Sequence, residues 1–249
     1  MKSEAGRATR VGIFSDIHGN LHALETVLEE LKKHNVDFTV CCGDVVGYGG
    51  NPNECIDLLR KNEIPTIAGN HDFAALSLVD IAFFNDVARQ AMTWTREQLR
   101  PENMEFLRAL PMSIQFEDMM FVHASPVDPE LWNYVMTMGH ARQAFQHFTE
   151  RICFIGHSHT PFIVENCDNS LSCPDVPHID MREGCRYLVN VGSVGQPRDR
   201  NPDAAYAIYD REKQHIEIHR VVYDIKGAQD NIRLQGLPDD LAERLTYGV

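Results

Sequence analysis

Short apolar runs alternate with amphipathic segments over the first 70 residues of the chain. Residues 11–15, 38–42 and 64–68 are apolar and short, as is typical of strands buried on both faces. Between them, residues 21–34 and 51–62 carry apolar side chains at helical spacing. Strand, helix, strand, helix and strand in succession predict a parallel sheet with right-handed crossovers.

The rest of the chain predicts more helices and then more strands. Residues 73–110 show no strand-like alternation and predict two or three helices with a break at Pro101. The later pattern predicts a hairpin (113–117 and 119–123), a loop and a helix ending near Glu150 (126–150), strands at 151–155 and 161–165, a polar surface loop (166–186), strands at 187–191, 204–209 and 215–223, and a helical tail (224–249). We expect one domain over residues 1–249, with a disordered leader over residues 1–8.

The charge balance bears on the class of partner. The chain has 249 residues, 43% of them hydrophobic, and its 23 basic against 36 acidic residues give a net charge of −13. Such an acidic chain is a poor match for a protein that follows a long nucleic acid with a broad basic surface. A small phosphorylated substrate stays compatible with it, because bound dications would reverse the field locally.

Seven cysteines and the absence of long apolar runs bear on the compartment. The start, MKSEAGRATRVGIF, has no apolar stretch long enough for a signal peptide, and no later run could span a membrane. We therefore expect a cytoplasmic protein with reduced thiols. Cys167, Cys173, His178 and Cys185 could form a structural zinc site, but their spacing contains no C-x-x-C pair, so a polar loop is favoured.

Five short apolar runs end directly in side chains that can bind metal ions. The five ends are Asp16-Ile17-His18, Gly43-Asp44, Gly69-Asn70-His71-Asp72, His123 and Gly156-His157-Ser158-His159. Because ligands bind beyond the carboxyl ends of the strands in open α/β sheets, we expect these ends to meet in one crevice. Each signal alone has an ordinary explanation, such as a helix N-cap or a partly buried histidine. No packing rule requires all five, so together they predict a site for divalent iron, manganese, zinc or nickel.

These motifs, in this order, resemble the calcineurin-like metallophosphoesterase superfamily. The family pattern D-x-H, G-D, G-N-H-[DE], H and G-H-x-H is complete here, from about residue 11 to residue 196. Residues 43–49 and 192–198 further resemble the compact bacterial and archaeal phosphodiesterase-like group. The resemblance implies an α/β fold, a four-layer α-β-β-α sandwich of two mixed sheets flanked by helices, in which residues 73–110 form a helical insert.

The resemblance also implies two metal ions and a role for each motif residue. Metal one would be held by Asp16, His18, Asp44 and His159, and metal two by Asp44, Asn70, His123 and His157. Asp44 would bridge the two ions. His71 would stabilise the phosphoryl oxygens or protonate the leaving alkoxide. The expected reaction is cleavage of a phosphodiester or phosphomonoester by a hydroxide that bridges the two ions.

Several residues and two alternative functions stay open. Asp72 could orient His71 in catalysis or simply start the next helix, while Tyr48, Ser193 and Arg198 could contact substrate or be ordinary loop residues. Aromatic residues such as Phe84 and Trp132 could stack a nucleobase or pack in the core. The substrate would be a small phosphorylated molecule, such as a nucleotide, and a dinucleoside polyphosphate is one alternative. A non-catalytic metal-binding scaffold of the same fold is the other.

Overall fold

The fold is described from a computed structural model of the chain, which covers residues 8–249 without the side chain of Phe83. Apart from Ala8, the predicted leader lies outside these residues. The strands are β1 (Arg10–Phe14), β2 (Phe38–Cys41), β3 (Ser113–Phe116), β4 (Met119–Val122), β5 (Ile152–Ile155), β6 (Phe162–Cys167), β7 (Ser170–Ser172), β8 (His178–Asp180), β9 (Arg186–Asn190), β10 (Ala204–Asp210) and β11 (His215–Val221). The α-helices are α1 (Leu21–Lys33), α2 (Pro52–Lys61), α3 (Asn70–Ala75), α4 (Asp86–Gln98), α5 (Pro101–Arg108), α6 (Met138–Ala144), α7 (Ile225–Leu234) and α8 (Asp239–Tyr247), with 3₁₀ turns at Ile81–Phe83 and Pro129–Leu131.

The strands form two mixed sheets. The first has the order β2-β1-β10-β11-β8 and the second the order β3-β4-β5-β9-β6-β7. β1 runs parallel to β2, as the strand–helix–strand pattern predicts, but antiparallel to β10 on its other side. In the second sheet, β4, β5 and β9 are parallel and the outer strands are antiparallel.

Alternation along the strands separates an inner core from two outer cores. Ile13 of β1 and Phe154 of β5 belong to the inner cluster between the sheets. The next residue along each strand, Phe14 or Ile155, packs outward against helices. Helices α1, α2, α7 and α8 cover the first sheet and α6 covers the second. Each buried large aliphatic side chain contributes about 1.5–3 kcal/mol. The predicted four-layer α-β-β-α sandwich is confirmed.

The predicted third strand, residues 64–68, is wrong as a regular strand. Only Thr66 forms a bridge, parallel to Cys41. Pro65 has no N–H to donate to a ladder, and the Ala68 N–H already donates to the Pro111 carbonyl (2.8 Å). The segment therefore touches the edge of β2 at one point and then turns towards α3.

The segment 166–186 is not only a loop. β7 folds back on β6 through a tight turn at Asp168 and Asn169, both with left-handed backbone (φ 51° and 63°), and β8 extends the first sheet beside β11. Cys167 and Cys185 form a disulfide, so the prediction of reduced thiols is wrong for this pair. The disulfide also removes two of the four donors considered for a structural zinc.

The helix in residues 126–150 is shorter than predicted, because Arg186 ends it. α6 stops at Ala144. The Arg186 guanidinium donates to the carbonyls of Phe145 (3.1 Å), Phe148 and Glu150 (3.2 Å), so the chain beyond α6 is tied to β9. Elsewhere, α3, α4 and α5 confirm the helical prediction for residues 73–110, and α7 and α8 the helical tail. None of the helices between residues 8 and 249 is long and apolar enough to cross a membrane.

Candidate metal centre

The predicted motif residues lie where the loops after β1, β2, β4 and β5 come together. Backbone hydrogen bonds join these loops: the Asp16 N–H donates to the Gly43 carbonyl (2.9 Å) and the Gly156 N–H to the His123 carbonyl (2.8 Å). The side chains that follow the strands are therefore directed into one buried crevice, as expected for carboxyl ends of strands.

Two buried clusters of potential metal ligands lie in this crevice. Within each cluster the donor atoms lie within 4.8 Å of one another; the first contains Asp16, His18 and His159, and the second Asp44, His123 and His157. Asp44 lies between them, because its Oδ2 is 3.6 Å from His18 Nε2 and 3.3 Å from His123 Nε2. Asn70 Oδ1 lies 3.3 Å from His123 Nε2. The structure thus brings together all seven side chains predicted as ligands.

The hydrogen bonds of His18 and His159 set which ring nitrogen is free. The Nδ1 of His18 lies 3.2 Å from the Val46 carbonyl, and that of His159 lies 2.6 Å from the Gln196 carbonyl. A carbonyl only accepts, so Nδ1 carries the proton in each neutral ring and Nε2 presents a lone pair. The two Nε2 atoms are 3.1 Å apart. Two lone pairs that face each other can both bind a cation placed between them. The hydrogen bonds from Nδ1 to backbone carbonyls are also typical of metal-bound histidines.

Unpartnered polar atoms support the same fit. Asp16 Oδ1 and His157 Nε2 are buried and have no well-directed hydrogen bond within residues 8–249, although Asp16 Oδ1 lies 3.3 Å from His159 Nε2. A buried polar atom without a partner costs about 1–3 kcal/mol. A metal ion is a partner of the right chemistry for a carboxylate oxygen and an imidazole nitrogen.

Five of the seven predicted ligands have a left-handed backbone conformation. The left-handed region holds Asp16 (φ 56°), His18 (51°), Asp44 (53°), His157 (66°) and His159 (59°). Aspartate and histidine enter this region more readily than most residues, but it still costs about 1–3 kcal/mol each. The backbone hydrogen bonds between the loops hold these side chains towards the crevice, at a cost in the free energy of folding.

The two central carboxyl groups are ionised. Burial would raise the pKa of Asp16, but the neighbouring His159 outweighs it and holds that pKa below its usual range. Burial would likewise raise the pKa of Asp44, yet His123 and then His71 hold it well below the usual range. Both side chains therefore offer negative oxygens to a cation.

The pKa values of the surrounding imidazoles are shifted in opposite directions. Burial lowers the pKa of His157 to about 3 and holds that of His18 well below its usual range. Burial would also lower the pKa of His123, but Asp44 outweighs it and raises this pKa to about 9. His18 and His157 are thus neutral, as metal binding requires, while His123 would exchange its proton for a metal ion.

His71 lies beside Asp44 and packs among rings. Its backbone N–H donates to Asp44 Oδ1 (2.8 Å). Its imidazole contacts the rings of His18, Tyr48 and Phe84, with centroid distances of 4.8, 4.6 and 5.0 Å. Burial lowers its pKa to about 4, and its buried Nδ1 has no hydrogen-bond partner in the described part of the chain. A His71 side-chain nitrogen also lies within 4.8 Å of ligand atoms of His18 and Asp44.

The Asp72 carboxylate is engaged by the backbone. It accepts hydrogen bonds from the amides of Val45 (2.9 Å), Val46 (3.2 Å) and Gly69 (3.0 Å), and burial raises its pKa to about 7. These bonds attach the loop after β2 to the first turn of α3. This geometry gives Asp72 a structural position, rather than the orienting contact with His71 that one of the two predictions supposed.

We expect Asp72→Ala to destabilise the protein and not to act on turnover alone. Three buried amides would lose their acceptor, so the free energy of unfolding should fall by about 3 kcal/mol or more. Urea denaturation of chelated protein measures this loss, with Asp230→Ala on the exposed face of α7 as the control. Unchanged stability combined with a large loss of kcat would contradict the structural role and favour the catalytic one.

The three predicted substrate contacts differ in position. The Tyr48 ring lies against His18 and His71, both at 4.6 Å, and faces the crevice. The Arg198 guanidinium lies 5.6 Å from the centre of the Tyr48 ring. Ser193 is fully buried, donates to the Asp16 carbonyl (2.8 Å) and accepts from the Gln196 amide (2.9 Å). Ser193 therefore supports the loop beneath Asp16 instead of facing a substrate.

Sequence reasoning missed three residues near the centre. The Tyr134 ring stacks on His157, with centroids 4.0 Å apart. Gln196 accepts from His159 through its carbonyl, and Arg244 of α8 lines a cleft beside Tyr48. Only Gln196 lay in a segment already singled out by the motif pattern. Tyr134 and Arg244 belong to a loop and a distant helix that carry no local signal of this contact.

Comparison with known proteins places this geometry in a family. Residues 9–214 match the model of the calcineurin-like phosphoesterase superfamily domain. The chain belongs to this superfamily. An uncharacterised protein of Methanocaldococcus jannaschii is 39% identical over 96% of this chain and 98% of its own length. A metallophosphoesterase crystal structure from Sphaerobacter thermophilus superposes with a TM-score of 0.84, at 38% identity, covering 98% of this chain and 100% of that one.

A more distant relative carries a specific name. The symmetrical bis(5′-nucleosyl)-tetraphosphatase of Actinobacillus pleuropneumoniae serotype 5b is 28% identical over 72% of this chain and 65% of its own length. Membership of the calcineurin-like superfamily confirms the resemblance predicted from the five motifs. The protein is a metal-dependent phosphoesterase, with clusters of His and Asp that could hold metal ions.

Proposed function

We propose that the protein is a dimetal phosphohydrolase that cleaves phosphodiesters or phosphomonoesters at the crevice described above. The observation that carries the proposal is the convergence of six buried Asp and His side chains, with ring nitrogens turned inward and the partly buried Asn70 beside them. No packing requirement accounts for lone pairs of His18 and His159 held 3.1 Å apart.

We assign four ligands to each ion. The first ion would be held by Asp16, His18, Asp44 and His159, and the second by Asp44, Asn70, His123 and His157. Asp44 would be shared, because its carboxylate lies between the two clusters. When bound, two divalent ions supply a water nucleophile at neutral pH and neutralise charge on the phosphate. Imidazole and carboxylate ligands accept manganese, iron, zinc or nickel, so availability decides the native metal.

The chain's own residues would position the ester. His71 lies beside Asp44, and its neutral imidazole would donate a hydrogen bond to a phosphoryl oxygen. It would protonate the leaving oxygen only if the negative charge of a bound phosphate raised its pKa from about 4. Tyr134 and Tyr48 lie against His157 and His18 and would border the ester on two sides. Asp72 and Ser193 would hold the loops in place and touch no substrate.

A dinucleoside polyphosphate is the second candidate substrate. The name of the Actinobacillus relative favours it, and so do aromatic rings close enough to the crevice to stack a base, such as Trp132, 5.8 Å from the His123 ring. A non-catalytic scaffold has less support, because every predicted ligand position carries a metal-binding side chain here.

We expect chelated protein to be inactive and to recover activity with added metal. The test measures hydrolysis of a chromogenic phosphodiester, a chromogenic monoester and diadenosine tetraphosphate, with and without Mn²⁺. Metal content measured in parallel should approach two ions per chain when activity is full. A protein that binds both ions but hydrolyses none of the three would be a scaffold, and activity in the presence of excess chelator would contradict the dimetal mechanism.

A further inference from the structure

Two arginines converge on Tyr48 at the side of the crevice that faces α8. Arg198 is held by Gln196, whose Oε1 accepts from Arg198 Nη2 (2.7 Å). The guanidinium of Arg198 lies 5.6 Å from the centre of the Tyr48 ring. Arg244, one turn before the end of α8, lines the same cleft as Tyr48.

The cleft between α4 and α8 has a volume of about 360 Å³. Tyr48 is one of the residues that line the cleft, and its ring also contacts the rings of His71 and His18, so the cleft adjoins the metal centre. The remaining lining comes from the start of α4, residues 85–88, and from Asp240 and Arg244 of α8.

Arg198 has no carboxylate partner within 4.0 Å among residues 8–249. The Arg244 Nε donates to a main-chain oxygen of Val249, the last residue of the sequence, and burial followed by the charge of Arg198 lowers the pKa of Arg244. The cleft also has two carboxylates, but Asp86 is paired with Arg89, and Asp240 is exposed. Arg198 is therefore a cation without a carboxylate partner, close enough to Arg244 for the two positive charges to repel each other, and an anion between them would relieve that repulsion.

We propose that Arg198 and Arg244 bind a second anionic group of the substrate, beyond the phosphate at the metal centre. This inference rests on the proposed function and narrows its substrate class to phosphate esters with a polyphosphate chain. The chain would run past Tyr48 from the metal centre into the cleft, where guanidinium groups match phosphate oxygens in a bidentate manner. Arg244 would thus set specificity without taking part in bond cleavage.

The first test separates substrates with one and with several phosphates. Arg244→Gln should raise KM for diadenosine tetraphosphate about tenfold, the usual scale of one charge-assisted hydrogen bond, with kcat little changed. The kinetics of p-nitrophenyl thymidine 5′-monophosphate should not change. Asp240→Asn on the same helix should lower KM for the tetraphosphate. Arg233→Gln, which loses exposed pairs with Asp239 and Asp230, is the matched control.

Two outcomes of that test would overturn the proposal. An equal fall in kcat/KM for both substrates would show that Arg244 has a structural role. An unchanged KM for the tetraphosphate would show that Arg244 does not bind this substrate. If the wild-type protein hydrolyses neither substrate, the proposed function fails, and a binding measurement then tests whether the second phosphate site exists. Calorimetry with excess Mn²⁺ should then show inorganic tripolyphosphate binding more tightly than orthophosphate, by about tenfold, in the wild type but not in Arg244→Gln. The same ratio in both proteins would refute the subsite.

Discussion

Replacing Asp44 with asparagine is expected to abolish metal binding and activity together. Asparagine keeps the shape, and its carbonyl oxygen can still accept from the His71 amide, as Asp44 Oδ1 does at 2.8 Å. Its NH₂ group must then replace Oδ2, which lies 3.6 Å from His18 Nε2 and 3.3 Å from His123 Nε2. Donor hydrogens would point at two nitrogens that need free lone pairs for metal, and the bridging charge would be lost.

The expected loss of metal affinity exceeds about 100-fold, since loss of an outer hydrogen-bond partner alone reaches that value. Metal content after dialysis and kcat/KM for a chromogenic diester are the two measurements. Asp230→Asn, an exposed aspartate paired only with charges on α7, is the control for loss of one negative charge. A fully metallated and active Asp44→Asn protein would refute the bridging assignment.

The motif residues were predictable because buried strands leave a strong local signal. Short apolar runs before Asp16, Asp44, His123 and His157 identify strand ends, and strand ends of an α/β sheet face a common crevice. The apolar run at residues 64–68 also leads to the crevice, although the segment forms one β-bridge and no regular strand. The direction of its chain sufficed to bring the Asn70 side chain beside His123.

Other parts of the site depend on contacts distant in sequence. Tyr134 reaches His157 from a loop without periodicity, and Arg244 reaches Tyr48 from a helix near the end of the chain. β7 and β8 are short and mostly exposed, so no alternation of apolar and polar residues marks them. Arg186 ends α6 across the second sheet, a stop signal that lies 42 positions beyond the helix end at Ala144. Such cross-chain contacts follow from tertiary packing and leave no local pattern.

Replacing His71 with alanine is expected to lower kcat about a hundredfold or more, the usual contribution of a positioned acid or hydrogen-bond donor. The contact that links this residue to Asp44 uses its backbone N–H and survives the substitution. The bridging carboxylate should therefore keep its position, and both ions should stay bound. Turnover of a chromogenic diester and metal content per chain are measured on the same preparation, with the exposed His147→Ala as the control.

The metal measurement decides between two roles that the geometry allows for His71. A His71 ring nitrogen lies within 4.8 Å of donor atoms of His18 and Asp44, a spacing that would also suit a ligand. Loss of an ion in His71→Ala would make it a ligand, and its effect on kcat would then be indirect. Full metal content with low kcat would mean that the imidazole acts on the ester directly. The rings of Tyr48 and Phe84 hold the imidazole in place, and its Nδ1 has no hydrogen-bond partner within residues 8–249 and is free to contact a substrate. Normal turnover would remove His71 from the mechanism and leave the ions to bind the reacting phosphate.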